Sequence, residues 1–150
     1  MVPLDDHAET RIRRESYRHW LTIPTRWMDN DVYGHVNNVV YYSYFDTVIN
    51  EYLIREGGLD IHRGQVIGIT PETFCRFRDS FSFPEQIEAG LAVARLGGSS
   101  VTYHVGLFKQ GGAEAAAYGH FVHVFVDRDT MRPAGIPAGL RGSLEKLLVV

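Results

Sequence analysis

The sequence predicts an α+β domain in which a curved antiparallel sheet of about five strands wraps one long central helix, followed by a short C-terminal helix. Two observations favour this architecture. Residues 36–56 carry apolar side chains at helical spacing over much of the helix circumference. The later segments are rich in β-branched and aromatic residues and are separated by paired glycines. A sheet curved around the helix would bury that wide apolar surface.

The composition is that of one folded domain over residues 1–150. Hydrophobic residues make up 45% and charged residues 22%, which is ordinary for a globular protein. The formal net charge of -3, from 18 acidic and 15 basic residues, argues against a nucleic-acid partner. No apolar run could span a bilayer, no signal-peptide core follows Met1, and the single Cys75 fits a reducing compartment. We therefore expect a cytoplasmic protein with no membrane partner.

The first elements lead up to the helix. Residues 1–16 are polar and charged, and we expect a loosely ordered lead-in. The segment "YRHWLTIPTRW", residues 17–27, predicts the first strand, with Pro24 at an edge or an end because proline cannot donate to a ladder. A polar loop over residues 28–35 comes next.

The helix is marked by signals at both ends and by an apolar stripe between them. Asn37 or Asn38 can cap the first turn, and the pair Gly57 and Gly58 ends the helix. The stripe comprises Asn37, Val40, Tyr41, Tyr44, Phe45, Val48, Ile49, Tyr52 and Leu53. Its width predicts that most of the helix is buried.

Four further strands and a helix follow. "QVIGIT" is interrupted at Pro71, and "ETFCRFRDSF" continues it in extended form. "QIEAGLAVARL" and "SVTYHVGLFK" flank Gly97 and Gly98, a hairpin signal, and "EAAAYGHFVHVFVD" follows a second glycine pair. "AGLRGSLEKLL" is amphipathic and predicts the C-terminal helix. So small a sheet leaves an edge exposed, which favours pairing with a second copy.

The stretch from Asp29 to Asn38 reads D-x-D-x-Y-G-H-V-N-N. Together with the aromatic-rich helix after it, this motif resembles the 4-hydroxybenzoyl-CoA thioesterase family of hotdog-fold acyl-CoA thioesterases. The core of the resemblance covers residues 26–53. The ending "GHFVHVFVDRDTMRP" is similar to the last strand of that family, and the middle strands match in pattern and length only. The resemblance implies a hotdog fold, an acyl-CoA substrate, a homodimer or homotetramer, and no cofactor.

Thioester hydrolysis explains why polar groups would gather in front of an apolar helix. A carboxylate can act as nucleophile or as general base for water, and a helix N-terminus offers unpaired N–H groups to a developing oxyanion. The resemblance implies that Asp31 is the catalytic carboxylate and that the backbone N–H of Asn38 stabilises the oxyanion. Gly34 permits a tight turn between them.

Neighbouring residues each have two interpretations. His35 either shuttles protons near neutral pH or bonds a backbone carbonyl as a structural group, and we place it with the catalytic set. Tyr33 either lines the acyl pocket or packs the loop. Tyr41 and Phe45 belong to the core, but a buried helix in this fold can also line the pocket. We therefore take Tyr33, Tyr41 and Phe45 as substrate-binding candidates.

Other polar residues are expected to play different roles. Asp29 is expected to be a solvated loop acid or a hydrogen-bonded strut. Asp46 competes with Asp31, because other hotdog thioesterases carry a carboxylate within the helix after a His-Gly-Gly motif, which this chain lacks. His120 and His123 are an odd number apart on a predicted strand and should point to opposite faces, and with His104 they have no acidic or cysteine partner at ligand spacing. We predict no metal site.

Two other functions use the same fold. An enoyl-CoA hydratase of the hotdog class needs an N-x-x-H spacing after its aspartate, whereas the asparagines here follow His35. A non-catalytic acyl-CoA binding protein would hold the ester without cleaving it. Coenzyme A phosphates could be held by arginine, and the sequence does not choose among Arg76, Arg78, Arg128 and Arg132.

Overall fold

A computed structural model describes residues 11–149 of the chain. One antiparallel sheet has the strand order β1-β3-β4-β5-β2. Its strands are β1 His19–Pro24, β2 Val66–Phe77, β3 Gln86–Leu96, β4 Ser100–Lys109 and β5 Ala117–Asp127. The long helix α1 is Tyr41–Arg55, preceded by a 3-10 turn at Asn38–Val40, and α2 is Ala138–Glu145. The predicted α+β architecture, with one long helix, five strands and a short C-terminal helix, is confirmed.

Helix α1 buries one face against the sheet. The buried side chains on this face are Tyr41, Tyr44, Phe45, Val48, Ile49, Tyr52 and Leu53. Burying a side chain of this size contributes roughly 1.5–3 kcal/mol. The opposite face, which includes Tyr42, Ser43, Asp46 and Thr47, is exposed in the single chain. The apolar stripe predicted from the sequence is thus buried, and the opposite face of the helix is accessible to solvent or to a second copy.

The helix ends at the predicted glycine pair. Gly58 has a φ of 68°, in the left-handed region that glycine adopts without strain. Beyond it the N–H of Leu59 donates to the carbonyl of Leu53 at 3.0 Å, which satisfies one of the last carbonyls of the helix.

Two strands differ from the sequence prediction in their bounds. Strand β1 ends at Pro24, so Trp27 leaves the sheet and begins a short 3-10 turn. The two segments around Pro71 form one strand, β2, whose register against β5 shifts between Ile69 and Glu72. A bulge at this point accommodates a proline without ending the strand. Strand β2 lies at the edge of the sheet.

Of the predicted lead-in, residues 1–10 lie outside the described residues. Residues 11–16 run along the outer face of the sheet, where Arg14 donates to Glu88 at 2.6 Å and to the carbonyl of Gly112 at 2.6 Å. Between residues 11 and 149, no helix has the length and apolar character needed to cross a bilayer.

Candidate active site

The loop before the helix is a compact turn. The N–H of Asp31 donates to the carbonyl of His35 at 2.8 Å, and the N–H of Gly34 donates back to the carbonyl of Asp31 at 3.1 Å. Gly34 has a φ of 82°, and no atom lies within 4 Å of the place that a Cβ would take, so conformation rather than space requires glycine here. The turn folds residues 31–35 into a compact loop shortly before the helix.

Asp29 is a buried strut beneath this loop. Its side chain is 1% exposed and accepts hydrogen bonds from the backbone N–H of Arg26, the guanidinium of Arg26 and the hydroxyl of Tyr44. Burial alone would raise the pKa of Asp29, but these hydrogen bonds outweigh it and hold the pKa below its usual value. Asp29 is therefore an ionised residue with a structural role. Of the two roles expected from the sequence, a solvated loop acid or a hydrogen-bonded strut, the structure shows the second.

Asp31 is placed differently from Asp29. Its side chain is only partly buried, and Oδ1 accepts a 2.8 Å hydrogen bond from the N–H of Tyr33. Within residues 11–149, Oδ2 has no hydrogen-bond partner. One oxygen thus orients the carboxylate, while the other is left to accept a proton or to attack a substrate.

The helix start leaves one amide unused. The side chain of Asn37 accepts from the N–H of Val39 at 3.2 Å, and its carbonyl accepts from the N–H of Val40 at 2.9 Å. Asn37 is therefore the N-cap residue of the helix. The sequence had predicted either Asn37 or Asn38 in this role. The N–H of Asn38 has no hydrogen-bond partner in the described part of the chain. A free N–H at this end of a helix is suited to bind an anionic oxygen.

Asp31 lines an open depression of about 780 Å³. The other lining residues are Trp27, Met28, Asn30, Val32, Tyr33, Gly34 and Asn37. Several of these apolar side chains are exposed to solvent: Val32 is 94% exposed and Tyr33 is 83% exposed. Contiguous exposed apolar surface of this kind marks a contact site for a ligand or another protein.

The segment before β3 fastens this loop. The N–H of Val36 donates to the carbonyl of Phe81 at 2.8 Å, and the N–H of Phe83 donates to the side chain of Asn30 at 3.0 Å. The rings of Trp27 and Phe83 meet edge to face, with centroids 5.8 Å apart. Residues 80–85, directly before β3, therefore contact the site loop of their own chain.

The structure groups some of the predicted site residues and separates others. Tyr33 and Gly34 line the depression beside Asp31, and His35 is exposed with its carbonyl in the turn. Tyr41 and Phe45 point instead into the core, where Phe45 is fully buried. Their assignment as substrate-binding residues stays a prediction, as does the catalytic role of His35.

The lining of the depression also includes residues that sequence reasoning missed. Trp27 and Met28 were expected at a strand end and in a loop, and Asn30 was not a candidate. Pro24 was the available signal for Trp27, because a proline at a strand end frees the residues after it from the sheet.

The remaining polar candidates have ordinary surroundings. Asp46 is exposed on α1 and accepts from the side chain of Asn50 at 2.9 Å. His120 faces outwards, stacked on Phe74, whereas His123 is buried on the inner face, so the two do point in opposite directions. In residues 11–149 no group of three or more His, Cys, Asp or Glu side chains is arranged to hold a metal ion.

Comparisons with known proteins place this chain in a family. The family model of the thioesterase-like superfamily matches residues 25–144, which include the loop, α1 and the whole sheet except β1. No match was found among curated proteins.

Solved structures show the same fold. A protein from Pseudomonas aeruginosa strain PAO1 is 54% identical, with 93% of this chain and 97% of that chain covered and a TM-score of 0.91. A second Pseudomonas aeruginosa protein, described as a candidate thioesterase, is 25% identical over 84% of this chain and 97% of that one, with a TM-score of 0.79. The DHNA-CoA thioesterase from Staphylococcus aureus is 18% identical over 85% of this chain and 86% of that one, with a TM-score of 0.74.

These similarities confirm the predicted hotdog fold and the resemblance that the motif at Asp29–Asn38 suggested. The family match covers most of the chain and includes the loop and the helix that carry the candidate site. The chain belongs to the thioesterase-like superfamily.

Proposed function

We propose that the protein is an acyl-CoA thioesterase that hydrolyses its substrate to a free acid and coenzyme A. One observation carries the proposal: Asp31, with one free carboxylate oxygen, lines the same depression as Asn37, the residue directly before the unpaired N–H of Asn38. A base or nucleophile beside an oxyanion donor is what acyl transfer to water requires.

In this mechanism the thioester carbonyl lies in the depression with its oxygen towards the N–H of Asn38. Asp31 either removes a proton from the attacking water or attacks the carbonyl carbon itself. The negative charge that develops on the oxygen is stabilised by the free N–H and by the partial positive charge of the helix start. Water is the second substrate, and no cofactor takes part.

Coenzyme A is the proposed thiol carrier. The fold is shared with the DHNA-CoA thioesterase of Staphylococcus aureus, which acts on a coenzyme A ester as its name states. Of the arginines suggested for the phosphates, Arg128 already donates to the carbonyls of Gly64 and Ile61, which argues for a structural role.

A homodimer or homotetramer is the proposed active form. Among residues 11–149, strand β2 pairs only with β5, which leaves its other edge unpaired. The exposed apolar side chains around Asp31, among them Val32 and Tyr33, would be covered by a second copy. Pairing of two β2 edges would continue the sheet across both copies, as free edges favour.

Release of free thiol from a panel of acyl-CoA esters tests the proposal. We expect the native protein to release coenzyme A, and Asp31→Asn to lose at least about a hundredfold in kcat/KM, as expected for loss of the general base. Asp46→Asn is the matched control, since Asp46 is an exposed acid on the helix that follows the site loop, and it should retain native activity.

Other outcomes identify the alternatives. Consumption of an enoyl-CoA without thiol release would indicate a hydratase. Binding of esters with neither reaction would indicate a non-catalytic acyl-CoA binding protein. If Asp31→Asn cleaves every ester at the native rate, the assignment of Asp31 is wrong.

A further inference from the structure

Asn30 is a polar residue of the depression that the proposed mechanism leaves unused. It is partly buried, it lines the depression together with Asp31, and it lies directly before Asp31 in the chain. Its backbone is held as well: the N–H of Asn30 donates to the carbonyl of Trp27 at 3.4 Å, and Asn30 pairs with Val36 in an isolated antiparallel β-bridge. Asn30 therefore has a defined position beside the candidate base.

The side-chain amide of Asn30 has a fixed orientation. Its Oδ1 accepts a 3.0 Å hydrogen bond from the backbone N–H of Phe83, in the segment that leads to β3. An N–H group can bond only to the oxygen end of an amide, so this contact determines which end is the oxygen. The NH₂ group at Nδ2 cannot exchange places with the oxygen unless the bond to Phe83 breaks.

This NH₂ group is left without a partner. Between residues 11 and 149, no oxygen accepts a hydrogen bond from Nδ2 of Asn30. In the same range, the hydroxyl of Tyr118 is the only fully enclosed side-chain N or O atom that lacks a partner, so Nδ2 of Asn30 is in contact with open space. The bond to Phe83 needs only an acceptor, which an aspartate would also supply. The donor is therefore available to a molecule in the depression.

Asp31 carries the complementary acceptor. Its Oδ2 has no hydrogen-bond partner in the described part of the chain, while Oδ1 is bonded to the N–H of Tyr33. Consecutive Cα atoms are about 3.8 Å apart, so one water molecule can bridge side chains of neighbouring residues that line the same depression. A water that accepts from Asn30 and donates to Asp31 is oriented for general-base attack.

We propose that Asn30 holds the water that attacks the thioester, by donating from Nδ2 to the water oxygen. The inference rests on the proposed thioesterase function, in the form in which Asp31 is the general base. The water oxygen bonds to the carbonyl carbon, one water proton passes to Oδ2 of Asp31, and the C–S bond then breaks. The leaving thiolate takes the proton from Asp31, which gives the free acid and coenzyme A. Asn30 stays neutral throughout.

Two substitutions at position 30 separate the donor from the bond to Phe83. Asn30→Asp keeps an oxygen for the N–H of Phe83 but has no NH₂ group, whereas Asn30→Leu has a similar size, no charge and neither polar group. Both variants should lose about tenfold in kcat for a cleaved acyl-CoA ester, with KM changed less than about twofold, because the lost contact is to water and not to the ester. Urea denaturation should show Asn30→Leu as the less stable variant, since it alone loses the bond to Phe83.

Competition between water and hydroxylamine gives a readout that a purely structural role of Asn30 would not change. Hydroxylamine attacks the same carbonyl carbon and yields a hydroxamic acid and coenzyme A. The ratio of hydroxamate to free acid would be measured after subtraction of the protein-free reaction. In both variants this ratio should rise by about the factor by which hydrolysis slows. Because it compares two products, a smaller amount of folded protein does not alter it.

Asn37→Ser is the matched control. Asn37 also lines the depression, and its Oδ1 is likewise occupied by a backbone N–H, that of Val39, but it lies six residues after Asp31. Serine keeps the helix cap and removes an amide NH₂ group from the same depression. This variant should keep the native ratio of hydroxamate to acid. An equal rise in Asn37→Ser would overturn the assignment to Asn30.

The outcomes distinguish this proposal from the proposed function. A native protein that releases no thiol from any ester rejects the thioesterase, and the role of Asn30 with it. If the native protein hydrolyses esters and both variants keep the native kcat and product ratio, the thioesterase is supported and the role of Asn30 is rejected. Loss of activity in only one variant would trace to the bond with Phe83 or to the added charge, and a higher KM at constant kcat would trace to binding of the ester. Either result, or a lower kcat with an unchanged product ratio, also overturns the proposal.

Discussion

The hydroxyl of Tyr44, on the first buried turn of α1, donates a 2.7 Å hydrogen bond to Oδ2 of Asp29. The backbone carbonyl of Asp29 accepts from the N–H of Asn37 at 2.9 Å, directly before the helix. Asp29 therefore joins the site loop to the helix by its side chain and by its main chain. Asp31 follows two residues later, so its position depends on this connection.

Tyr44→Phe should destabilise the protein by about 1.5–3 kcal/mol, because it removes a hydrogen bond to a buried carboxylate and leaves that charge less satisfied. Urea denaturation at pH 7 would measure the free energy of unfolding. Tyr42→Phe is the control, since Tyr42 lies on the exposed face of the same helix and should change stability little. Equal stability of the two variants would mean that the Tyr44–Asp29 bond contributes nothing.

The loss of unfolding free energy caused by Tyr44→Phe should depend on pH. The pKa of Asp29 in the folded state is lowered, so its ionised form stabilises the fold above the unfolded pKa of about 3.9, and this contribution is lost as pH falls through the folded pKa. The difference in unfolding free energy between native protein and variant should be largest near pH 7 and shrink below about pH 4. A difference that stays constant from neutral to acid pH would contradict the charge-assisted bond.

The contacts of Asp29 show which part of the candidate site could be predicted from the sequence. The motif that contains Asp31, Gly34 and Asn38 is local, so its spacing was sufficient to predict a turn followed by a helix start. The partner of Asp29 is Tyr44, which lies fifteen residues away on the helix. Both acids of the D-x-D pair look alike in the sequence, and tertiary hydrogen bonds decide that Asp29 is the strut.

A cavity of about 240 Å³ that has His123 in its wall could not have been predicted for the same reason. Its walls come from α1, from the loop after it, from β2 and from β5, and only the folded chain brings these together. Alternation along β5 did predict that His120 and His123 face opposite sides. It could not show that the hydroxyl of Tyr103, on the neighbouring strand, would lie 3.1 Å from Nδ1 of His123.

Gly34→Ala should lower activity more than stability. The left-handed φ of 82° costs an alanine roughly 1–2 kcal/mol, while no neighbouring atom would clash with the added methyl group. The strain would be relieved by moving the turn that positions Asp31. We expect kcat/KM for a cleaved acyl-CoA ester to fall at least about tenfold with most of the protein still folded, since small misplacements of a catalytic group are costly.

Gly58→Ala is the matched control for this substitution. Gly58 also has a positive φ, 68°, and open space around it, but it lies at the far end of α1. Its loss of stability, measured as a shift in Tm, should resemble that of Gly34→Ala, with activity unchanged. If both variants lose activity equally, the effect at Gly34 reflects stability and not the position of Asp31.

Ile69→Lys should weaken self-association through the β2 edge. Ile69 is an exposed apolar residue on that edge strand, next to the bulge at Pro71. A lysine there adds a charge to each copy close to the proposed twofold axis, and charged side chains oppose edge-to-edge pairing. Sedimentation velocity should show the native protein as a dimer or tetramer and Ile69→Lys shifted towards monomer.

Met131→Lys is the control for this substitution, because Met131 is an exposed apolar residue in the turn after β5, which lies beside the start of β2 and not beside its midpoint. It should sediment like the native protein. Because the second copy is proposed to cover the apolar side chains around Asp31, kcat/KM of Ile69→Lys should rise with protein concentration as the copies associate. A native protein that sediments as a monomer at all concentrations, yet hydrolyses esters, would contradict both the edge pairing and the oligomeric active form.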